Sequence, residues 1–355
     1  MAVTRAARGV ERLVEHLFRR TGPPMLKAYR GFADPDGLVV QGRVVSAVRR
    51  SAPEADQSRW VNFKQMVSLF LTSEVRDVTV RAGGVEGQTD AEGYLRLTVP
   101  RRPDHAGWVD VAAELPDTVD GAVAMPVLVP PSDARFGVIS DIDDTMMQTG
   151  AYSLLRNLWT TFTGNALTRQ VFPDAVRLMG RLNEAGRNPV FYVSSSPWNL
   201  FTFLEKVFDR AGLVIGPMFL RDLGVSEQGL IGAGHGDHKG ASIDRILSAN
   251  PGLRFWLFGD TGQKDAMVYR DAVLRHAGRI GGVVLRQASS SVSSETQTAV
   301  DQIRQADLPV AVVNSFDEID ENVLPPLGAA DANHPDGSGG SGDDELLRRA
   351  GDAQS

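Results

Sequence analysis

The chain has 355 residues, a length for two ordinary domains. Its hydrophobic share (42%) and charged share (23%) are those of a globular protein, no apolar run is long enough to cross a bilayer, and the N-terminus lacks the apolar core of a signal peptide. Cysteine is absent, which excludes disulfides, cysteine-ligated zinc and a cysteine nucleophile and fits a cytoplasmic location, while the net charge of −7 argues against a nucleic-acid partner.

Residues 1–36 are read as a basic amphipathic helix and linker. Arg5, Arg8, Arg12, Arg19, Arg20, Lys27 and Arg30 face only Glu11 and Glu15 over the first 30 residues. Val10, Leu13, Val14, Leu17 and Phe18 recur at helical spacing behind a candidate cap, Thr4. Such a helix either lies on an anionic membrane surface, making the protein peripheral to the membrane, or packs its stripe on the body of the protein.

Residues 37–130 are rich in short Val- and Leu-bearing stretches, "GLVVQGRVVSA", "VRDVTVRAGG", "GYLRLTVP", "WVDVAAEL" and "AVAMPVLVP", punctuated by Gly, Pro and Asp. A turn at Asp90–Gly93 joins two of them. This spacing predicts a small β-sandwich domain with no catalytic cluster of its own.

From residue 131 to 327 strands alternate with helices: "RFGVIS", "PDAVRLMGRLNEAG", "PVFYV", "NLFTFLEKVFDRAG", "HKGASIDRILSAN", "LRFWLFG", "DAMVYRDAVLRHAG", "IGGVVLR", a helix near 294–305 and "LPVAVV". The alternation predicts an α/β domain with a parallel sheet covered on both faces. Residues 328–355 are small, polar and acidic and predict a disordered tail.

In α/β sheets functional groups gather beyond the carboxyl ends of the strands. The strand 136–140 leads into Asp141, Ile142, Asp143, Asp144 and Thr145; the strand 189–193 into Ser194, Ser195 and Ser196; the strand 253–259 into Asp260, with Asp265 following in "GDTGQKD". Lys239 opens the helix that leads into the last of these. Crowded carboxylates are tolerable beside a hard divalent cation such as Mg²⁺. One carboxylate can then attack phosphorus and a second can serve as general acid and base, while a hydroxyl and a lysine hold the phosphoryl oxygens. An EF-hand reading fails, because its sixth and twelfth positions counted from Asp141 are Met146 and Tyr152. The loop "GAGHGD" (232–237) lacks the preceding strand and the following acidic residue of a dinucleotide site. His235 and His238 are read equally as substrate contacts or as incidental residues of a glycine loop. Trp198 is read as packing at the start of its helix, with a lipid contact as the alternative.

Taken in order, "DIDDT", "FYVSSSPWNL", "FLRD", "GHGDHK" and "LFGDTGQKD" resemble the catalytic domain of the actin-patch-protein type of phosphatidate phosphatase, a family of the haloacid dehalogenase superfamily. The resemblance covers about residues 130–315. It implies a Rossmann-like haloacid dehalogenase core, Mg²⁺ as cofactor and hydrolysis of phosphatidate to diacylglycerol. It further implies Asp141 as nucleophile, Asp143 as acid and base, Ser194 and Lys239 as phosphate-binding groups, and Asp260 and Asp265, with Asp141 and Asp143, as metal residues. Two other readings stay open: a phosphatase for a different phosphomonoester, soluble or on a nucleic-acid end, and a non-catalytic scaffold that keeps the fold.

The intervals between Asp141, Ser194 and Lys239 are too short for a large independent cap. An open site suits a phosphate carried on a bilayer. The apolar segment Tyr152–Phe162, with Leu154, Leu155, Leu158 and Trp159, is read as either core packing or a lipid contact.

Overall fold

The computed structural model describes residues 23–46, 75–116, 118, 121–148, 171–221, 235–288 and 292–325, without the side chains of 235–237. The basic N-terminal helix, the segment Tyr152–Phe162, most of the loop 232–237 and the acidic tail all lie outside the described residues.

Seven strands come first: β1 (Pro24–Asp34), β2 (Gly37–Ser46), β3 (Thr79–Ala82), β4 (Val85–Gln88), β5 (Tyr94–Val99), β6 (Gly107–Glu114) and β7 (Val123–Val129). Residues 24–34 are a strand where the sequence reading placed the linker. Lys27 and Arg30 drew that stretch into the basic segment, yet their charge is compatible with a strand. Here Arg30 pairs with Glu205 at 3.0 Å.

These strands form one sheet in the order β4-β3-β6-β7-β1-β2-β5. Its two edges meet. Gly87 of β4 approaches β5 so closely that a Cβ there would lie 2.2 Å from Leu97 Cδ2, and Gly83, left-handed at φ 55°, faces Val99. The expected β-sandwich is therefore replaced by a single barrel-like sheet. The cause lies in β1 and β2, which run for 11 and 10 residues with an irregularity between Tyr29 and Phe32. Long, bulged strands bend, and one sheet then curls onto itself. The alternation of short apolar strands is the same in both architectures, so the sequence could not separate them. The turn at Asp90–Gly93 is present: Asp90 Oδ1 accepts from the Glu92 and Tyr94 amides at 2.9 and 2.8 Å, and Gly93 takes φ 79°. It joins the two sheet edges, not a hydrogen-bonded hairpin.

The remaining strands and helices alternate: β8 (Gly137–Asp141), α1 (Pro173–Asn183), β9 (Val190–Pro197), α2 (Phe201–Ala211), β10 (Met218–Arg221), α3 (His235–Ala249), β11 (Phe255–Asp260), α4 (Asp265–Arg275), β12 (Ile280–Arg286), α5 (Ser294–Gln305) and β13 (Val310–Val313). The helices form where the sequence expects them. Pro173 at the first turn and the buried stripe Ala175, Leu178, Met179 and Leu182 define α1. Left-handed Gly212 (φ 69°) ends α2, and Ser293 caps α5 through the Thr296 amide.

The six strands are all parallel, in the order β10-β9-β8-β11-β12-β13. Tyr192 meets Phe208 of α2 on one face, with ring centroids 4.9 Å apart. Ile139, Phe191, Leu257 and Leu285 share a core with Ile243, Ala266 and Ala299 of α3, α4 and α5. Both faces are thus covered, as continuous apolar strands require. The strand order reverses between β8 and β11, the position where doubly wound sheets open a crevice.

The two sheets share buried surface. Phe32, Val39 and Leu128, from β1, β2 and β7, belong to the same apolar core as Phe191, Phe219 and Phe255. Every residue of β2 is buried; Leu38, Val40 and Val44 pack in the barrel's own core and Val39 in the shared one. Among the described residues no helix is long and apolar enough to cross a membrane.

Candidate active site

Asp141 is the last residue of β8. The chain then winds tightly: the amides of Met146 and Met147 both donate to the Ile142 carbonyl, at 3.0 and 3.1 Å, and Asp144 takes a left-handed φ of 57°. Met146 and Met147 are buried beneath this loop and anchor it. The Thr145 hydroxyl turns back and donates to Asp141 Oδ2 at 3.1 Å.

Asp260 ends β11, the neighbouring strand across the switch point. Its Oδ1 accepts from the Gly262 and Gln263 amides at 2.5 and 2.8 Å, so the carboxylate wraps its own loop around itself. Asp265, the first residue of α4, accepts from the Asp260 amide through Oδ2 at 3.2 Å. Gly259 is needed for this approach: a Cβ there would lie 2.7 Å from that same oxygen and from the Tyr269 ring.

The three carboxylates of Asp141, Asp260 and Asp265 each offer an oxygen, and these oxygens lie within 4.8 Å of one another in buried surroundings. Lys239, from the first turn of α3, places Nζ 2.6 Å from Asp141 Oδ1 and 2.5 Å from Asp265 Oδ1. When all three carboxylates are ionised, one ammonium leaves two negative charges, the charge a divalent cation would offset. Asp260 Oδ2 is buried and makes no hydrogen bond. An orphaned, hard oxygen in a negative cluster fits Mg²⁺.

The electrostatics arise from burial. Desolvation lifts the Asp141 carboxyl well above the usual carboxylate range. Lys239 opposes the rise, and Asp265, Asp143 and Asp260 add to it. Burial and then the charge of Asp265 push Asp260 up to about 7. Burial alone would lower Lys239, but Asp141 and Asp265 outweigh it and raise it, so the ammonium stays charged.

Asp143 stands apart. Its carboxylate turns to β9, where Oδ2 accepts from Ser194 Oγ at 2.6 Å and Ser196 Oγ at 3.2 Å. Asp143 was expected among the metal residues; among the described residues the carboxylates that gather are those of Asp141, Asp260 and Asp265, and the Asp143 side chain faces the serines instead. The reason is local. A strand would point Asp141 and Asp143 to one side, but β8 stops at Asp141 and the wound loop turns Asp143 in a new direction. Burial raises the Asp143 carboxyl above its ordinary value, with Ser194, Lys239 and Ser196 opposing. A carboxyl whose affinity for its proton is raised, beside a second carboxylate, is suited to general acid work.

The geometry also supplies residues that motif reading passed over. Ser196 shares Asp143 with Ser194 and donates its amide to Ser194 Oγ at 2.9 Å. The signal was the period of two along β9, which puts 194 and 196 on one side. Trp198 stacks on Tyr29 of the barrel at 5.1 Å, which is the packing role, and Asn199 Oδ1 accepts from Arg43 at 2.6 Å. The side chain of His235 lies outside the described residues, and His238 precedes Lys239 on the first turn of α3. All six expected site residues lie at the carboxyl ends of the strands, in the loops beside them or near the starts of α3 and α4.

Residues 136–287 match the family described as phosphatidate phosphatase APP1, catalytic domain. Every site residue named above falls within that match. Phosphatidate phosphatase APP1 of Saccharomyces cerevisiae is 30% identical over 157 residues, which cover 44% of this chain and 27% of that protein. An uncharacterized protein of Schizosaccharomyces pombe is 29% identical over 157 residues, covering 43% of this chain and 25% of the relative. The chain thus spans about a quarter of the length of the fungal relatives it matches. Among solved structures, a haloacid dehalogenase-like protein from Burkholderia xenovorans LB400 aligns with 12% identity and a TM-score of 0.31, over 54% of this chain and 99% of its own. That superposition is too loose to bear on the fold.

Proposed function

We propose that this chain is a Mg²⁺-dependent phosphomonoester hydrolase that works through an aspartyl-phosphate, with phosphatidate as substrate and diacylglycerol as product. The observation that carries the reading is the convergence of Asp141, Asp260, Asp265 and Lys239 at the switch point, with Asp143 and two serines on the adjoining strand. The lipid substrate rests on the match of residues 136–287 to the APP1 catalytic family and on the name of the yeast relative.

Asp141, Asp260 and Asp265 would hold the cation, which supplies charge neutralisation for the incoming phosphate. An Asp141 oxygen attacks phosphorus, and the bond to the leaving oxygen breaks. Asp143, protonated, gives its proton to that oxygen, so the alcohol departs neutral. The Asp143 carboxylate then takes a proton from water, the resulting hydroxide attacks phosphorus, and the bond to Asp141 breaks to release inorganic phosphate. Lys239 and the Ser194 and Ser196 hydroxyls hold the equatorial oxygens, where transition-state charge spreads. Because Asp143 accepts from both serines in the substrate-free state, an arriving phosphate draws those hydroxyls away and leaves the carboxyl facing the leaving group.

The test is phosphate release with Mg²⁺ from phosphatidate in mixed micelles, lysophosphatidate, nucleotides and sugar phosphates, with Asp141→Asn as control. The highest kcat/KM is expected for phosphatidate, and no turnover for Asp141→Asn. A soluble phosphomonoester that outranks phosphatidate overturns the lipid assignment; full activity in Asp141→Asn overturns the covalent step.

A further inference from the structure

Arg286 ends β12, one strand further from the switch point, and is only 5% exposed. A buried guanidinium costs desolvation unless each of its donors is met. Here Nη1 and Nη2 bond the two oxygens of Asp174 at 3.0 and 3.1 Å, and Nη1 also reaches the Asn314 carbonyl at 3.3 Å. Its guanidinium carbon also lies over the rings of Phe172 and Phe316, 4.2 and 4.0 Å from their centroids. Asp174 is itself fixed by the Ser315 hydroxyl and the Phe316 amide, each at 2.7 Å. The side chain therefore has one orientation.

In that orientation Nε donates to the Thr145 carbonyl at 3.0 Å. Thr145 is the residue whose hydroxyl bonds Asp141 Oδ2, and it comes directly after left-handed Asp144 in the wound loop. The backbone of Arg286 is engaged as well: its carbonyl accepts from the Thr261 amide at 2.9 Å, and the residue pairs in register with Asp260. One residue thus grips both loops that carry the crowded carboxylates, by side chain on the Asp141 side and by backbone on the Asp260 side.

We infer that Arg286 is a positioning residue, which holds the Asp141 carboxylate in register with Asp260 through Thr145. An ion pair with Asp174 alone would be replaceable by apolar packing of equal volume. The Nε bond to Thr145 is what only a planar fork with an extra N–H can add while staying paired to a carboxylate. The inference rests on the phosphatase reading for its kinetic consequence but not for its metal-binding one.

The test uses the full chain and three variants: Arg286→Lys, Thr145→Val and the pair combined. Lysine keeps the charge beside Asp174 and loses the bond to Thr145. Valine keeps the shape of Thr145 and loses the bond to Asp141. Mg²⁺ affinity of the substrate-free protein, measured by calorimetry, is expected to fall about 10-fold in each single variant. With phosphate release as readout, kcat is expected to fall about 10- to 100-fold with KM within about 3-fold, because the reacting carboxylate is misplaced while binding groups remain. The combined variant is expected to be no worse than the weaker single one, since both break one chain. Wild-type Mg²⁺ affinity in a cooperatively melting Arg286→Lys, or effects that multiply in the combined variant, overturn the inference. Should Arg286→Lys fail to fold, Thr145→Val decides alone: unchanged Mg²⁺ affinity removes the link to Asp141. A wild-type protein that releases no phosphate from any substrate breaks the phosphatase reading, while the Mg²⁺ titrations still decide this one.

Discussion

Ser194 donates its hydroxyl to Asp143 Oδ2 at 2.6 Å. The sequence reading assigned these residues separate duties, one to hold phosphate and the other to move a proton. The geometry ties them into one device, since the hydroxyl cannot serve phosphate without releasing the carboxyl. Ser194→Ala should therefore lower kcat/KM by about 10- to 100-fold, the weight of a hydrogen bond to a charged group. Ser196→Ala, whose contact is longer at 3.2 Å, should cost less. Steady-state kinetics of the two variants check the ranking, and equal losses would detach Asp143 from Ser194.

The cation cluster predicts a thermal signature. Saturating Mg²⁺ should stabilise the protein, by about 2.7 kcal/mol at one hundred times Kd. Asp260→Asn should abolish that gain. The asparagine oxygen can still accept from the Gly262 and Gln263 amides, while the charge crowding Asp265 is gone. The metal-free variant should then melt at or above the wild-type temperature. Differential scanning calorimetry with and without Mg²⁺ measures both; a full Mg²⁺ shift in Asp260→Asn would remove that residue from the cluster.

Much of this site was legible because each strand of the second sheet announces its own end. The apolar runs 136–140 and 253–259 stop at Asp141 and Asp260, and a parallel sheet brings such ends together whatever the intervening sequence. What the sequence hid was direction. Nothing in "DIDDT" says that Asp143 leaves the carboxylate group for the serines, because the wound loop depends on Asp144 taking φ 57° and on Met146 and Met147 packing beneath it. Arg286 was equally hidden at the end of "GGVVLR". A single arginine after a strand reads as a surface charge, and its partners Asp174 and Thr145 lie more than 100 positions away. The barrel was misjudged for a similar reason: closure depends on β4 meeting β5, a contact between sheet edges that no local pattern records.

Acid should weaken the Arg286 anchor in a defined window. Burial raises the Asp174 carboxyl, but the bonds from Arg286, Ser315 and the Phe316 amide together hold it below its ordinary value. A carboxyl depressed in the folded state adds stability that is complete above the unfolded value, about 3.9, and is lost as pH falls through the folded one. Asp174→Asn should cost about 3 kcal/mol at neutral pH. The gap between wild type and variant should stay constant from pH 7 to about 4 and close below it. Urea denaturation across that range checks the prediction, and a gap independent of pH would mean that the charge of Asp174 is not what holds Arg286.

The barrel should prove part of the catalytic core and not a detachable neighbour. Phe32 is 1% exposed, and its ring lies 5.2 Å from Phe219 of β10, in the core that also contains Ile139 and Leu257 beneath Asp141 and Asp260. Arg245 of α3 covers the same ring, with its guanidinium carbon 5.2 Å from the centroid. Removing residues 1–130 would strip Phe32, Val39 and Leu128 from that core and expose Phe219 to water. Within the full chain, Phe32→Ala should cost about 3–5 kcal/mol and lower the single cooperative transition. Residues 131–325 expressed alone should melt at a markedly lower temperature than the full chain, or fail to stay soluble. The same excision would remove Arg43 and Tyr29 from Asn199 and Trp198, loosening the segment just beyond Ser194 and Ser196, so any activity left in the fragment should show a raised KM. If the isolated fragment matches the full chain in melting temperature and kinetics, the two sheets touch without sharing stability, and the barrel's purpose must be sought away from the site.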